Sequence, residues 1–237
     1  AGRIAPGPRP AGLSPAVRRF CAKTGALYAA ATLLYLPVSL YGGKLNGLSF
    51  GALARDIVLD GTFYHLWYLP AAILGALLAD GLLRLPGRWT AGCVCAALYG
   101  LGLLGDSWYG GGQALPALRP FFRALFLHMD YTRNGLFFAP LFLWLGAALR
   151  ELPRPRPRAC LAGLAGSLAL LLAEAFGLRA LGWPRHDSMY LALVPCAYFL
   201  FACLTPPRGA ATPFLRACSL LVYVLHPMAI VLVRGAA

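Results

Sequence analysis

The chain has 237 residues, 59% of them hydrophobic and only 12% charged, with a formal net charge of +13. A soluble domain carries roughly 25% charged residues, so this composition excludes an ordinary soluble enzyme and points to an integral membrane protein. The basic excess has no aromatic-interleaved patch of the RNA-binding kind, so no nucleic-acid partner is expected; topology and lipid headgroups account for it.

Residues 1–15 are rich in Pro, Gly and Arg, lack the apolar core of a signal peptide, and are expected to form a disordered lead-in. Seven apolar stretches follow, near 24–42, 63–83, 89–106, 135–149, 159–178, 188–205 and 215–233. A bilayer-spanning helix needs about 20 mainly apolar residues. An all-α bundle of about seven transmembrane helices is therefore expected. The fourth stretch is short, and Tyr131 to Asn134 are expected to supply its first turn. The segments 44–60 and 114–132 mix polar and apolar residues and are expected to lie along the surface as interfacial helices.

Alternating spans sort the loops onto two sides. The N-terminal segment and the loops near 84–88, 150–158 and 206–216 hold 13 of the 21 Lys and Arg residues, with Asp80 and Glu151 as their acids. The other side holds 8 basic residues with Asp56, Asp60, Asp106, Asp130, Glu174 and Asp187. The positive-inside rule places the first side in the cytoplasm. Six of the eight acids and all four histidines then gather toward the outer face of a plasma-membrane protein.

The seven cysteines have no zinc-site spacing, and no metal ligands are expected. Prolines 37, 70, 140, 195 and 227 fall in five of the stretches. Each lacks an N–H and can kink its helix, opening an outward cleft.

The polar residues at that end are the candidate site. His65 is either a general base or acid or an interfacial residue of an aromatic belt with Trp67 and Tyr68; Asp60 and Tyr64 stand just before it. Asp130, Arg133 and Asn134 have helical i, i+3, i+4 spacing. Arg133 either grips a carboxylate, phosphate or thioester oxygen with its planar fork or caps a helix with Asp130. Arg185, His186, Asp187 and Ser188 bring a base, a carboxylate and a hydroxyl together; in the alternative, Asp187 or Ser188 is an N-cap. His226 sits in an apolar run with Arg234 eight residues on, so both line one cleft or a nearby carbonyl satisfies the histidine. Glu174 is expected to pair with an arginine of the cleft.

Three of these runs are together specific. Asp60-Gly-Thr-Phe-Tyr-His-Leu-Trp-Tyr-Leu-Pro70, Asp130-Tyr-Thr-Arg-Asn-Gly-Leu-Phe-Phe-Ala-Pro140 and Arg185-His-Asp-Ser-Met-Tyr190 resemble acyltransferase family 3. Within it the chain is most similar to the membrane domain of VanT-type serine racemases of vancomycin resistance. The resemblance implies a partial domain over residues 16–237 of a bundle of about ten helices. It implies transfer of an acyl group, commonly acetyl from acetyl-CoA, to an extracytoplasmic envelope acceptor, with no bound cofactor. The alternative it implies is a membrane module that supplies L-serine. The family's first helix, with an Arg and a His eleven positions later, has no counterpart here, and no racemase domain follows. Activity of the chain alone is therefore not expected, unless helices come from an adjacent chain. On this resemblance His65, His186 and His226 handle protons, while Asp60, Tyr64, Trp67, Asp130, Arg133, Asn134, Arg185, Asp187 and Arg234 bind substrate.

Overall fold

The computed structural model describes residues 12–86, 88–149, 155–204 and 213–236. Most of the expected lead-in, and parts of the basic loops at 150–158 and 206–216, lie outside the described residues. The chain is 72% helical, with no strand among the described residues.

Each of the seven apolar stretches contains a helix. These are α1 (Pro15–Tyr41), α3 (Tyr68–Leu82), α4 (Arg88–Leu104), α7 (Ala139–Ala148), α8 (Pro157–Ala180), α9 (Leu193–Leu204) and α10 (Pro213–Ala236). Three short helices lie between them: α2 (Phe50–Arg55), continued by a π turn (Asp56–Asp60), α5 (Tyr109–Ala114) and α6 (Arg119–Leu125). Helix α2 with its π turn and helix α6 fall where interfacial segments are expected, whereas α5 lies ahead of the second of these. Helices α1 and α8 are long and apolar enough to cross a bilayer; the other apolar helices offer shorter runs, such as Tyr68–Leu82 and Ala139–Ala148.

Packing explains the membrane character better than length does. A helix on a soluble protein shows one apolar stripe, whereas a helix apolar all round is buried or faces lipid. On α8, Leu161, Leu170 and Phe176 are each more than 60% exposed, so this apolar surface is not covered by protein.

Helix α1 starts at Ser14, whose hydroxyl accepts from Val17 N at 3.3 Å, followed by Pro15 in the first turn. Ser14 N donates to Asp80 at the end of α3, and Arg84 pairs with the same carboxylate at 2.6 Å. At the other end, Lys44 Nζ donates to Thr62 O just before α3. Helices α1 and α3 are therefore antiparallel. Two cores sit within the bundle. One joins Tyr28, Ala31, Tyr35, Leu66, Leu69 and Val224, and the other joins Cys95, Tyr99, Leu103, Leu141 and Met189.

The prolines correct one expectation. Only Pro37 and Pro227 lie inside helices. Pro70, Pro140 and Pro195 fall in the first turns of α3, α7 and α9, where a missing N–H costs nothing. These helices start later than the apolar pattern suggests, and Tyr131 to Asn134 are not the first turn of α7. Ahead of each helix runs a non-helical stretch, 61–67, 130–138 and 185–192, holding isolated turns. Such backbone survives at membrane depth only when buried in protein or lining a cavity.

Candidate functional site

The three entry stretches meet at one end of the bundle and are laced together by side chains. Gly61 has a φ of 87°, and a Cβ there would lie 2.5 Å from Trp67 N, so only glycine lets the first stretch fold back on itself. Asp60, just before it, accepts from Asp130 N (3.1 Å) and Tyr131 N (3.3 Å), fixing the second stretch. Thr132, fully buried, ties that stretch to α4 by donating to Gly102 O at 2.8 Å. Asp106, at the end of α4, accepts from Ser188 N (2.8 Å) and Met189 N (2.9 Å), fixing the third. The rings of Tyr131 and His186 close the circle at 4.3 Å between centroids.

An open pocket of about 470 Å³ lies here, lined among others by Lys44, Asp56, Asp60, Tyr64, Asp130 and Arg133. Arg55 spans its carboxylates, 3.4 Å from Asp60 and 3.2 Å from Asp130. Burial raises the Asp60 carboxyl above its ordinary value, against the backbone hydrogen bonds and Arg55 that lower it. Arg133 is held differently. Its guanidinium lies over the Trp67 ring at 4.9 Å and the Tyr131 ring at 4.6 Å, and its buried Nε has no hydrogen-bond partner among the described residues. Two aromatic faces thus hold the cation with its fork uncommitted to a carboxylate.

His186 Nε2 is also buried without a partner among the described residues, while the ring hydrogen-bonds the Asp130 backbone. Burial, then the neighbouring Arg185, lowers its proton affinity, so the neutral imidazole is favoured. His65, 7% exposed, stands amid Tyr35, Phe63, Tyr64 and Tyr223, and neither ring nitrogen has a partner of good geometry among the described residues. His226 approaches it at 5.7 Å between ring centroids. His226 Nδ1 lies 3.0 Å from both Val222 O and Tyr223 O. Pro227 cannot donate to Tyr223 O, so the ring takes up the carbonyl that the proline leaves, with Nδ1 as the donor. This is the carbonyl-satisfied alternative of the sequence reading.

Several expected pairings are replaced by others. Asp130 pairs with Arg55, not Arg133, because residues 130–134 are not a helical face. Asn134 is fully buried with both amide atoms committed: Oδ1 accepts from Leu136 N and Phe137 N, and Nδ2 donates to Tyr131 O. Asp187 pairs with Arg179 at 2.5 Å, which lowers its carboxyl, and caps no helix. Ser188 caps none either, since α9 begins at Leu193. Arg185 lies over Phe126 at 3.6 Å. Glu174 pairs with no arginine among the described residues; it accepts from Trp108 Nε1, Leu191 N and Ala192 N. Arg234 is exposed in the last turn of α10. The sequence reading singled out neither Arg55 nor Lys44, and it treated Asp106 as one of the outer acids only.

Comparisons with known proteins identify the family of the chain. The model of the family described as Acyltransferase domain matches residues 3–237. A "Serine/alanine racemase" of Enterococcus gallinarum is 39% identical over 220 residues, covering 90% of this chain and 31% of the relative. Two proteins of Enterococcus faecalis, each named "Amino-acid racemase", are 38% identical over 203 residues and 36% over 223. They cover 85% and 92% of this chain but 28% and 32% of their own length. The chain thus spans about a third of these curated relatives. No solved structure matches it.

Proposed function

This chain belongs to the Acyltransferase domain family, a membrane family, and on that premise we propose that it is a multi-pass plasma-membrane acyltransferase module whose outward pocket is the transfer site. The observation that carries the reading is Arg133, a cation held between two aromatic rings with an unpartnered Nε beside a pocket.

The chemistry follows from the groups present. The donor is an acyl-CoA thioester, acetyl-CoA in the simplest case, and the acceptor is a hydroxyl or amine of an envelope molecule. The acceptor atom attacks the thioester carbonyl carbon, the carbon–sulfur bond breaks, and CoA leaves as a thiolate. Arg133 stabilises the oxygen that gains negative charge. His186, neutral with Nε2 uncommitted, takes the acceptor's proton and returns it to the leaving sulfur. Buried His65, with exposed His226 beside it, is the other proton-handling group of this end. Asp60, Asp130 and Tyr64 contact the acceptor, and Trp67 holds Arg133 in place.

A second reading has its own observation. The pocket carries carboxylates and cations together, which suits a zwitterion, and the similar proteins are named as racemases of amino acids. In this reading Arg133 holds the carboxylate of L-serine, Asp60 or Asp130 holds its ammonium, and the module supplies serine. One experiment separates the two. Right-side-out vesicles carrying the chain completed with the family's first helix receive labelled acetyl-CoA inside and labelled L-serine outside. Acetyl transfer to envelope material without Arg133-dependent serine accumulation supports the first reading. Arg133-dependent serine accumulation without acetyl transfer replaces it with the second.

A further inference from the structure

Asp106 is 0% exposed. One carboxylate oxygen, Oδ1, receives two backbone N–H groups, from Ser188 and Met189. The other, Oδ2, is buried with no partner among the described residues. The surrounding bonds clamp the same strip of chain onto α4. Arg185 N donates to Asp106 O, Ser107 Oγ to Met189 O, and Tyr99 Oη to Tyr190 O. The strip carries His186. A carboxylate buried with one unsatisfied oxygen is costly unless a proton or a donor reaches that oxygen.

The charged groups that act on Asp106 come from each neighbouring element. Arg133, before α7, favours its ionised form; Asp187, on the strip, disfavours it. Tyr99 on α4 and Tyr190 on the strip stand near it, joined by the Tyr99 Oη to Tyr190 O hydrogen bond. Glu174 of α8 is taken up by Trp108 Nε1, Leu191 N and Ala192 N. Burial outweighs the backbone donors and Arg133, and the carboxyl is pushed up to about 6.

We propose that Asp106 is a positioning residue of the site: a proton on Oδ2 locks the 185–189 strip, and with it His186, against α4, and ionisation loosens the strip. The role of His186 here rests on the acyl-transfer reading; the lock itself does not. The sign follows from linkage. When the strip lifts, Asp106 meets solvent and returns to its ordinary value near 3.9. The closed form therefore binds the proton more tightly than the open form, so closure is favoured as pH falls through about 6.

Amide hydrogen exchange of the full protein in lipid nanodiscs tests this, corrected for the intrinsic pH dependence of exchange. Protection of the Ser188 and Met189 amides is expected to be about tenfold higher at pH 5 than at pH 7.5, the ratio that a shift of this size gives. Asp106→Asn keeps an acceptor for the two amides and places a donor at the second position. It is expected to be protected at all pH values in that range, with no pH response. Amides of α8 serve as the folding control. A flat wild-type profile overturns the proposal, as does an Asp106→Asn variant that retains the wild-type pH response. If the lock responds to pH but Asp106→Asn leaves acyl transfer and its pH profile unchanged, the lock stands and the role of His186 falls.

Discussion

At the scale of single residues, the site depends on how each polar group is held. Arg133 rests on Trp67 and Tyr131, so its planarity matters as well as its charge. In the chain completed with the family's first helix, Arg133→Lys is therefore expected to lose activity nearly as fully as Arg133→Ala, at least tenfold at matched membrane expression. An exposed ion pair is worth at most ~1 kcal/mol, so a purely topological charge would tolerate lysine; near-wild-type activity of the lysine variant removes Arg133 from the site. Arg133 and His186 were legible in the sequence because charge at the mouth of an apolar run is costly. Asp106 was not: nothing in the Leu104-Gly105-Asp106-Ser107 run foretells that its amide partners lie 82 and 83 residues away. Glu174 misled for the same reason, since backbone N–H groups rather than an arginine meet its charge.

At the scale of elements, Pro70, Pro140 and Pro195 decide where the chemistry sits. Hydropathy found a helix in each of the seven apolar stretches but ran the starts of α3, α7 and α9 several residues early, because the last residues of their entry stretches are mainly apolar. Proline in a first turn was the available signal. Pro227 acts otherwise. Tyr35 Oη donates to Val224 O at 2.6 Å and accepts from Met228 N at 3.0 Å, bridging an i, i+4 pair of α10 beside His65. Tyr35→Phe is expected to cost about 1–3 kcal/mol and to speed exchange of the Met228 amide; unchanged unfolding and unchanged exchange would show the bridge to be dispensable. Gly135 is a second dependence. A Cβ there would lie 2.4 Å from Leu74 Cβ and 2.8 Å from Ala71 O, whereas one at Gly100 meets nothing within 4 Å. Gly135→Ala is expected to push the Arg133 stretch off α3 and lower both stability and activity, with Gly100→Ala near neutral. Equal behaviour of the two variants in thermal unfolding would contradict this packing.

At the scale of the whole molecule, the polar residues that form the site share one end of the bundle, and the basic loops alternate with it along the chain. In the topology we propose from the positive-inside rule, that end faces outward. Single cysteines at Tyr64 and Asp130, in a background without native cysteines, are expected to react with an impermeant maleimide in intact cells, and a cysteine at Arg84 to react only after permeabilisation. The reverse pattern would invert the orientation. The central claim is that the pocket around Arg133 transfers acyl groups. Its most direct measurement is the movement of label from acetyl-CoA to envelope material by membranes carrying the chain completed with the family's first helix, wild type against Arg133→Ala at equal expression. The account predicts transfer by the wild type and loss of at least nine-tenths of it in the variant, about 1.4 kcal/mol or more in the barrier. Wild-type transfer that survives Arg133→Ala unchanged, or no transfer at all by the wild type, would contradict it.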